Sequence, residues 1–286
     1  MTGQAPVVPD SQLFTFIDGT KRLALYFLEG QRLIQDLALL HPMRRGGFAY
    51  FRDVVLSVQP MIALLKHGEQ FGFYIDSDDP CFRLKLETAH HGATRCMLLP
   101  EQFEEFPAAM HGIVRVHKLF PGDKPPYESV LKVDALPLRE IVNHVLQESY
   151  QVHCAMMVSS ASDQSVMLHQ LPPLRSEIYD YSLEAVREQR AELRGSIERI
   201  FSWSLHRKDE IEQAFAEIGF KPLASRLVRF QCSCSRERMV ENVRAVYLTE
   251  GDGLFEPGED SLHVRCEYCK QPYEIQRSEM TPPSPS

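Results

Sequence analysis

Four cysteines close to the C-terminal end constrain this chain more than any other feature of its sequence. They form two close pairs, which we call the first hook (Cys232 and Cys234) and the second hook (Cys266 and Cys269), roughly thirty residues apart. Two thiolate pairs at this separation are typical of a tetrahedral four-sulfur zinc site, because only one intervening loop has to be ordered. The first hook is unusual, since Cys-x-Cys presents both side chains on one face only where the backbone is extended.

Composition and length set the class of protein. With 286 residues and 44% hydrophobic side chains, the chain can bury a substantial core without a metal, so zinc is not needed for the whole fold. A formal charge of -8 argues against a nucleic-acid partner. The sequence has neither a basic leader followed by an apolar stretch nor an apolar run of membrane-spanning length, and we expect a cytoplasmic protein with no membrane partner. In a reducing compartment, clustered cysteines favour metal or redox chemistry over a disulfide framework.

Hydrophobic periodicity predicts an α+β core over residues 1–175. After a flexible leader, the apolar spacing predicts core helices over Leu13 to Leu40 and over Phe48 to Lys66. Alternation of period two then predicts strands, followed by a helix and a last pair of strands. These predictions cover, in chain order, strands at residues 71–75, 82–86, 95–99, 113–119 and 129–133, a helix over 137–150, and strands at 152–158 and 166–171.

The chain changes character after the core. Residues 176–229 are rich in charges of both signs and carry a thin apolar row, which predicts a helical, metastable linker. Residues 230–280 contain both hooks and form the predicted zinc-binding domain, with a helix capped by Ser235 and two strands flanking the second hook. Residues 281–286 are rich in Pro and Ser and are predicted to be a disordered tail.

The chemistry of the two hooks leaves two interpretations open. Arg236, Arg238 and Arg265 lie beside the cysteines in sequence and would favour thiolates, as zinc binding requires. The site is then either a permanent structural zinc module or a redox sensor. Two thiols one or two residues apart can form a strained, readily reduced disulfide, and loss of the metal removes most of the folding energy of so small a module.

The residues around the hooks resemble a known family. Phe-Gln-Cys-Ser-Cys-Ser-Arg-Glu-Arg (230–238) and Cys-Glu-Tyr-Cys-Lys-Gln-Pro-Tyr-Glu-Ile (266–275) closely resemble the signature of the 33-kilodalton heat-shock protein family, the redox-regulated holdase chaperones. Weaker likenesses occur upstream at Pro-Tyr-Glu-Ser-Val (126–130), Gln-Glu-Ser-Tyr (147–150) and Gln-Leu-Pro-Pro (170–173). The chain departs from the family at two turns that are usually rich in glycine, where it has residues 76–80 and Ser-Ser-Ala-Ser-Asp-Gln (159–164).

The resemblance implies a switch. In the family, the reduced protein holds one zinc ion and is inactive. Oxidants such as peroxide, together with unfolding stress, release zinc and form disulfides within each hook, which here would join Cys232 to Cys234 and Cys266 to Cys269. The linker then unfolds, and exposed apolar surface binds unfolding client proteins without ATP. The active form is commonly a dimer.

Other readings of the sequence are weaker. The alternative function is a constitutive zinc ribbon that docks nucleic acid or protein. A third hypothesis is a thiol-disulfide oxidoreductase that uses the second hook. The sequence around this hook lacks the strand-to-helix context of thioredoxin-like proteins. No nucleotide-binding or hydrolase signature is present, so we expect no enzyme activity and no catalytic residues. Cys81, Cys96 and Cys154 are predicted to be buried core thiols. Two histidine pairs, His90 with His91 and His111 with His117, lack the spacing of zinc ligands. His263 lies near the second hook, but four thiols already complete the predicted zinc site.

Overall fold

The computed structural model describes residues 8–173 and 180–280 of the chain. Its helices and strands are interleaved in an α+β fold, as predicted. The strands are β1 (Gln12–Asp18), β2 (Leu23–Glu29), β3 (Gln70–Asp79), β4 (Phe82–Ala89), β5 (Ala93–Leu99), β6 (Met110–Leu119), β7 (Tyr127–Leu136), β8 (Cys154–Val158), β9 (Gln164–Gln170), β10 (Lys221–Leu227), β11 (Arg229–Phe230), β12 (Ser261–Arg265) and β13 (Pro272–Gln276). The helices are α1 (Gln31–Leu40), α2 (Arg45–Val58), α3 (Leu138–Glu148), α4 (Leu183–Trp203), α5 (Lys208–Ala216) and α6 (Arg236–Glu250), with 3-10 turns at Gln59–Leu64, Gly251–Leu254 and Arg277–Met280.

The chain divides into two compact units, Met1–Phe230 and Gln231–Ser286. In the described part of the first unit, the strands form a five-stranded sheet of order β10-β1-β2-β9-β8 and a six-stranded sheet of order β11-β5-β4-β3-β6-β7. The second unit contains the β12-β13 hairpin. Neighbouring strands are antiparallel, apart from the parallel pair of β11 and β5. No helix in the described ranges is long and apolar enough to cross a lipid bilayer.

The larger hydrophobic core joins both large sheets to α1, α2 and α3. The six-stranded sheet contributes alternate residues of its strands, such as Phe71, Phe73 and Ile75 of β3, to this core. Helix α2 contributes Tyr50 and Phe51, which are almost fully buried. One face of the five-stranded sheet is therefore covered by the core helices.

The opposite face of the five-stranded sheet is covered by α4 and α5. Side chains alternate along a strand, so Leu13 of β1 faces the larger core while Phe14 faces the second one. In this second core Phe215 of α5 packs between Phe16 and Phe27, with ring centroids 4.7 and 5.1 Å away. Helix α4 adds Val186, Leu193, Ile197, Ile200 and Phe201, all of them buried. Strands β1, β2 and β9 of this sheet thus carry buried apolar side chains on both faces.

This two-sided burial explains why the prediction of a helix beginning at Leu13 is wrong. Residues 12–29 form β1 and β2, and only the end of the predicted segment is helical, as α1. Six of the seven residues of β2 are buried, so its sequence is a continuous apolar run without the alternation of a half-exposed strand. Periodicity alone does not distinguish such a run from a buried helix.

The segment 176–229 was predicted to be helical, but part of it forms a strand. Helices α4 and α5 lie where the apolar row predicts them, but residues 221–227 form β10, an edge strand paired with β1. Strand β10 is mostly exposed and carries Pro222, so its sequence lacks a strand pattern. The boundary predicted at residue 175 and the tail 281–286 fall outside the described residues.

The remaining core predictions are confirmed, with one exception among the cysteines. The helix over 48–66 corresponds to α2 and the 3-10 turn after it, and β3 to β9 and α3 match the predicted strands and helix. Cys96 and Cys154 are buried, as predicted. Cys81 is exposed, because it lies in the turn between β3 and β4 rather than in a strand.

We expect the Phe215→Ala substitution to weaken the packing of α4 and α5 on the sheet. Removing a fully buried aromatic ring costs about 3–5 kcal/mol of the free energy of unfolding. Urea denaturation measures this loss, and limited trypsin digestion at Arg187 and Arg194, which are exposed on α4, measures undocking. The control is Leu39→Ala, which removes a side chain that is 80% exposed on α1. Equal effects of both substitutions would contradict the packing described here.

We expect native alkylation with iodoacetamide to separate the three cysteines outside the hooks. Cys81 should react, because it is exposed, whereas Cys96 and Cys154 should not. Burial raises the pKa of both buried thiols, so little thiolate forms at neutral pH. Mass spectrometry of peptides from protein alkylated before and after unfolding identifies the modified residues. Modification of Cys96 in the folded protein would contradict this assignment.

Candidate metal centre

The two hooks occupy different backbone contexts. The first hook lies in the irregular segment before α6, whose N-terminus is capped by Ser235: its Oγ accepts a hydrogen bond from the amide of Arg238 at 3.3 Å. The second hook forms the turn of the β12-β13 hairpin, which is closed by backbone bonds from Lys270 to Cys266 and from Cys266 to Gln271. Lys270 has a positive φ of 60° and so reverses the chain behind Cys269. The predicted capped helix and the two predicted strands are confirmed.

The four sulfur atoms converge. The Sγ atoms of Cys232, Cys234, Cys266 and Cys269 all lie within 4.8 Å of one another. The Sγ atoms of Cys232 and Cys266 are 3.7 Å apart, and those of Cys234 and Cys269 are 3.3 Å apart. Ligands of a tetrahedral zinc ion with Zn–S bonds of about 2.3 Å are separated by about 3.8 Å. The spacing and the all-sulfur donor set therefore fit a four-thiolate zinc site.

The thiols differ in how readily they ionise. Burial opposes ionisation of Cys234, but hydrogen bonds from the Tyr273 hydroxyl and from Cys269 hold the pKa of Cys234 below its ordinary value. Burial and the hydrogen bonds to the other thiols raise the pKa of Cys269. Four thiolates this close repel one another, and a divalent cation among them offsets that repulsion. The cluster on its own thus favours a mixture of thiol and thiolate.

Tyr273 is the residue near the thiols that the sequence did not single out. Its hydroxyl donates a hydrogen bond to Sγ of Cys234 at 3.1 Å, and this contact raises the pKa of the hydroxyl. Tyr273 belongs to β13, shortly after the second hook. The sequence indicated a role for Tyr273 only through its place in the family-like motif at residues 266–275. A hydrogen bond donated to a metal ligand orients that ligand and tunes its basicity.

Two of the three arginines predicted to assist the thiols, Arg236 and Arg238, make other contacts. Arg236 forms a two-pronged ion pair with Glu279, with N–O distances of 2.5 and 2.8 Å. This pair joins the first turn of α6 to the last 3-10 turn of the second unit, and it lowers the pKa of Glu279 to about 2. Arg238 donates to the carbonyl and the hydroxyl of Ser233. These two arginines thus brace the backbone around the first hook.

The second unit has a very small hydrophobic core. Its buried members are Val240, Val243, Phe255, Ile275 and Met280, with Tyr247 packed edge-on against Phe255. Units of this size usually depend on a metal or on disulfides for stability. The convergence of the thiols is consequently the largest source of stabilisation available to this unit when a metal is bound.

The histidines weighed from the sequence do not join a metal cluster. Within residues 8–173 and 180–280, the four cysteines are the sole group of three or more metal-ligating side chains. His111 and His117 lie opposite Asp134 and Glu128 on neighbouring strands, and His263 is exposed on β12. The rings of His90 and His91 contact each other, and His90 also contacts His67.

Comparison with known proteins places these features in a family. The sequence model of the Hsp33 protein family matches residues 11–276. The chain is 22% identical over 234 residues to the 33 kDa chaperonin of Pelobacter propionicus, covering 77% of this chain and 76% of that protein. It is 20% identical over 277 residues to the 33 kDa chaperonin of Pseudomonas fluorescens, covering 93% and 91%.

A solved structure shares the fold. The crystal structure of the 33 kDa chaperonin from Thermotoga maritima superposes with a TM-score of 0.70 at 12% identity, and the match covers 95% of this chain and 96% of that one. The family match spans the core, the α4-α5 segment and both hooks. This chain therefore belongs to the Hsp33 family.

Proposed function

We propose that this chain is a redox-regulated, ATP-independent holdase chaperone whose first and second hooks bind one zinc ion in the reduced state. Family membership supports a chaperone function. The observation that carries the redox proposal is the cluster of four sulfur atoms in a unit with almost no other core. A unit held together by its metal ligands unfolds when those ligands are oxidised.

The bound zinc would hold all four sulfurs as thiolates and fold the second unit around them. Cys234 is partly accessible, whereas Cys266 is buried, so peroxide can reach Cys234 directly. Its sulfur attacks one peroxide oxygen, giving a sulfenic acid and releasing water. A neighbouring thiol then displaces a second water and forms the disulfide, so one peroxide is reduced for each disulfide formed.

The partner of each sulfur depends on when the disulfide forms. In the folded unit, sulfur atoms of different hooks already lie close together, since Cys232 is 3.7 Å from Cys266 and Cys234 is 3.3 Å from Cys269. Once the small unit loosens, sequence proximity decides instead, and Cys232 with Cys234 and Cys266 with Cys269 are the pairs with the shortest loops to close. We infer that unfolding precedes or accompanies disulfide formation within the hooks.

The first hook follows closely after one strand of each large sheet. Only Gln231 separates β11 of the six-stranded sheet from Cys232, and β10 of the five-stranded sheet ends just before β11. Unfolding that spreads from the first hook back along the chain would reach β11, then β10, then α5 and α4, and undocking of these two helices would uncover Phe14, Phe16 and Phe27. This aromatic face is our candidate for the surface that binds unfolding client proteins. Burial of each such ring is worth about 1.5–3 kcal/mol, so we expect heat or denaturant to be needed together with oxidant.

We expect reduced protein to contain one zinc ion per chain, released when peroxide oxidises the hooks. Cys234→Ser should lower the zinc content, because a hydroxyl is a poor fourth ligand, whereas the matched control Cys81→Ser should retain it. Released zinc is measured with a chromogenic chelator, alongside a free-thiol count and disulfide mapping. Zinc that stays bound under peroxide would favour the constitutive zinc module instead.

We expect oxidised protein, and not the reduced form, to suppress aggregation of a thermally unfolding client in the absence of ATP. Light scattering measures aggregation, and trypsin cleavage at Arg187 and Arg194 reports undocking of α4. Cys81→Ser should behave as the unmodified chain. Equal suppression by both redox forms would contradict the redox switch. Loss of zinc with undiminished protection of α4 would contradict coupling between the hooks and the sheet.

A further inference from the structure

A polar cavity lies beside the connection from α4 to α5, far in sequence from the hooks. Its volume is about 270 Å³. Four of its lining residues belong to the 160–163 turn, which replaces a glycine-rich turn of the family and which Arg52 holds through bonds to Asp163 and to the carbonyls of Ser159 and Ser162. The lining consists of Gln31, Arg52, Ser160, Ala161, Ser162, Asp163, Ser204 and His206.

Two residues that line this cavity, Ser204 and His206, form a hydrogen-bonded relay with Glu29, which is not in the lining. Oγ of Ser204 is 3.3 Å from Nε2 of His206, and Nδ1 of the same ring is 3.0 Å from Oε1 of Glu29. With Nδ1–H donating to the Glu29 carboxylate, Nε2 is the unprotonated nitrogen and accepts the Ser204 proton. A nucleophile, a base and an orienting carboxylate within hydrogen-bond reach are the arrangement that activates a serine.

The serine is held in an uncommon conformation. Ser204 caps α4 with φ 48° and ψ 50°, a left-handed conformation that non-glycine residues seldom adopt. The surrounding turn is fixed on both sides: Ser162 Oγ donates to the carbonyl of Phe201 at 3.2 Å, and Gln164 donates to the carbonyl of Leu205 at 2.7 Å. This fixed turn holds the Ser204 hydroxyl at the cavity.

The carboxylate of Glu29 is buried, although acidic side chains are seldom fully buried in proteins. Glu29 is 1% exposed, and within the described residues its Oε2 atom has no hydrogen-bond partner. A buried carboxylate with an unsatisfied oxygen lowers stability, and such groups concentrate where a function needs them. Oε1 also accepts the amide of Gln31, which keeps the carboxylate aligned with the His206 ring.

We propose that Ser204, with His206 as its base and Glu29 as a positioning residue, is a nucleophilic serine that reacts with short-chain acyl esters in this cavity. Oγ of Ser204 attacks the carbonyl carbon while its proton moves to Nε2 of His206. The alcohol then leaves with that proton, and the acyl group remains on Oγ. Water, deprotonated by His206, releases the acid and restores Ser204. Gln31 also lines the cavity, and its carboxamide is the candidate donor for the carbonyl oxygen as it becomes negative.

This inference goes beyond the proposed chaperone function and runs against the expectation that the chain is not an enzyme. The volume and the polar lining limit the acyl group to a few carbon atoms. Diisopropyl fluorophosphate is a suitable probe, because Oγ displaces fluoride and forms a stable phosphate ester. p-Nitrophenyl acetate tests turnover of a short ester.

The experiment treats the reduced full-length chain with diisopropyl fluorophosphate at pH 8 and maps the adduct by mass spectrometry. We expect modification of Ser204 and none after Ser204→Gly, a change that tolerates φ 48°. His206→Gln should slow the reaction at least about tenfold, because the general base is lost. Glu29→Gln should slow the chemical step while leaving the concentration of probe at half-saturation unchanged. Ser202→Ala is the matched control, since the Ser202 hydroxyl is exposed and bonded to the carbonyl of Arg199.

A folded wild-type chain in which Ser204 stays unmodified would overturn the proposal, and this outcome needs no variant to fold. Modification of Ser204 at the same rate in His206→Gln would overturn the assignment of the base. Hydrolysis of p-nitrophenyl acetate that is equal in the wild type and in Ser204→Gly would assign turnover to other surface groups and exclude an acyl-enzyme at Ser204. Circular dichroism and the thermal unfolding midpoint confirm that each variant is folded.

Discussion

Strands β1, β2 and β9 of the five-stranded sheet are apolar on both faces, and the arrangement of the first unit follows from that constraint. Leu13 and Leu28 need one cover, and Phe14, Phe16 and Phe27 need another. The core helices supply the first cover, and α4 and α5 supply the second from a segment that follows the core in sequence. A sheet with two apolar faces is stable in water only while both covers are present.

The two units are stabilised by different means, and this difference is the basis for the proposed switch. The first unit has large hydrophobic cores built from many rings. The second has five buried apolar residues and four converging thiols. The second unit holds a cluster of four thiols, whereas the first holds the buried Cys96 and Cys154 and the single exposed thiol of Cys81.

Local patterns in the sequence predicted those helices and strands that have one buried face and one more exposed face. Strands β3 and β4 alternate because one face of their sheet is more exposed, and α6 begins at a serine that caps it. Strands β1 and β2 were read as helical, since burial on both faces removes the alternation. Strand β10 was missed because pairing with β1, and not its own composition, makes it a strand.

The sequence by itself determined the family and the four candidate zinc ligands, because close cysteine pairs carry their chemistry in residue type and spacing alone. It also determined the order of core, charged helices and cysteine-containing unit. Only the tertiary structure decided that Tyr273 contacts Cys234, that Arg236 pairs with Glu279, and that Ser204, His206 and Glu29 form a relay. These residues come from segments whose proximity depends on sheet pairing and helix docking, and long-range contacts of that kind leave no periodic signal in the chain.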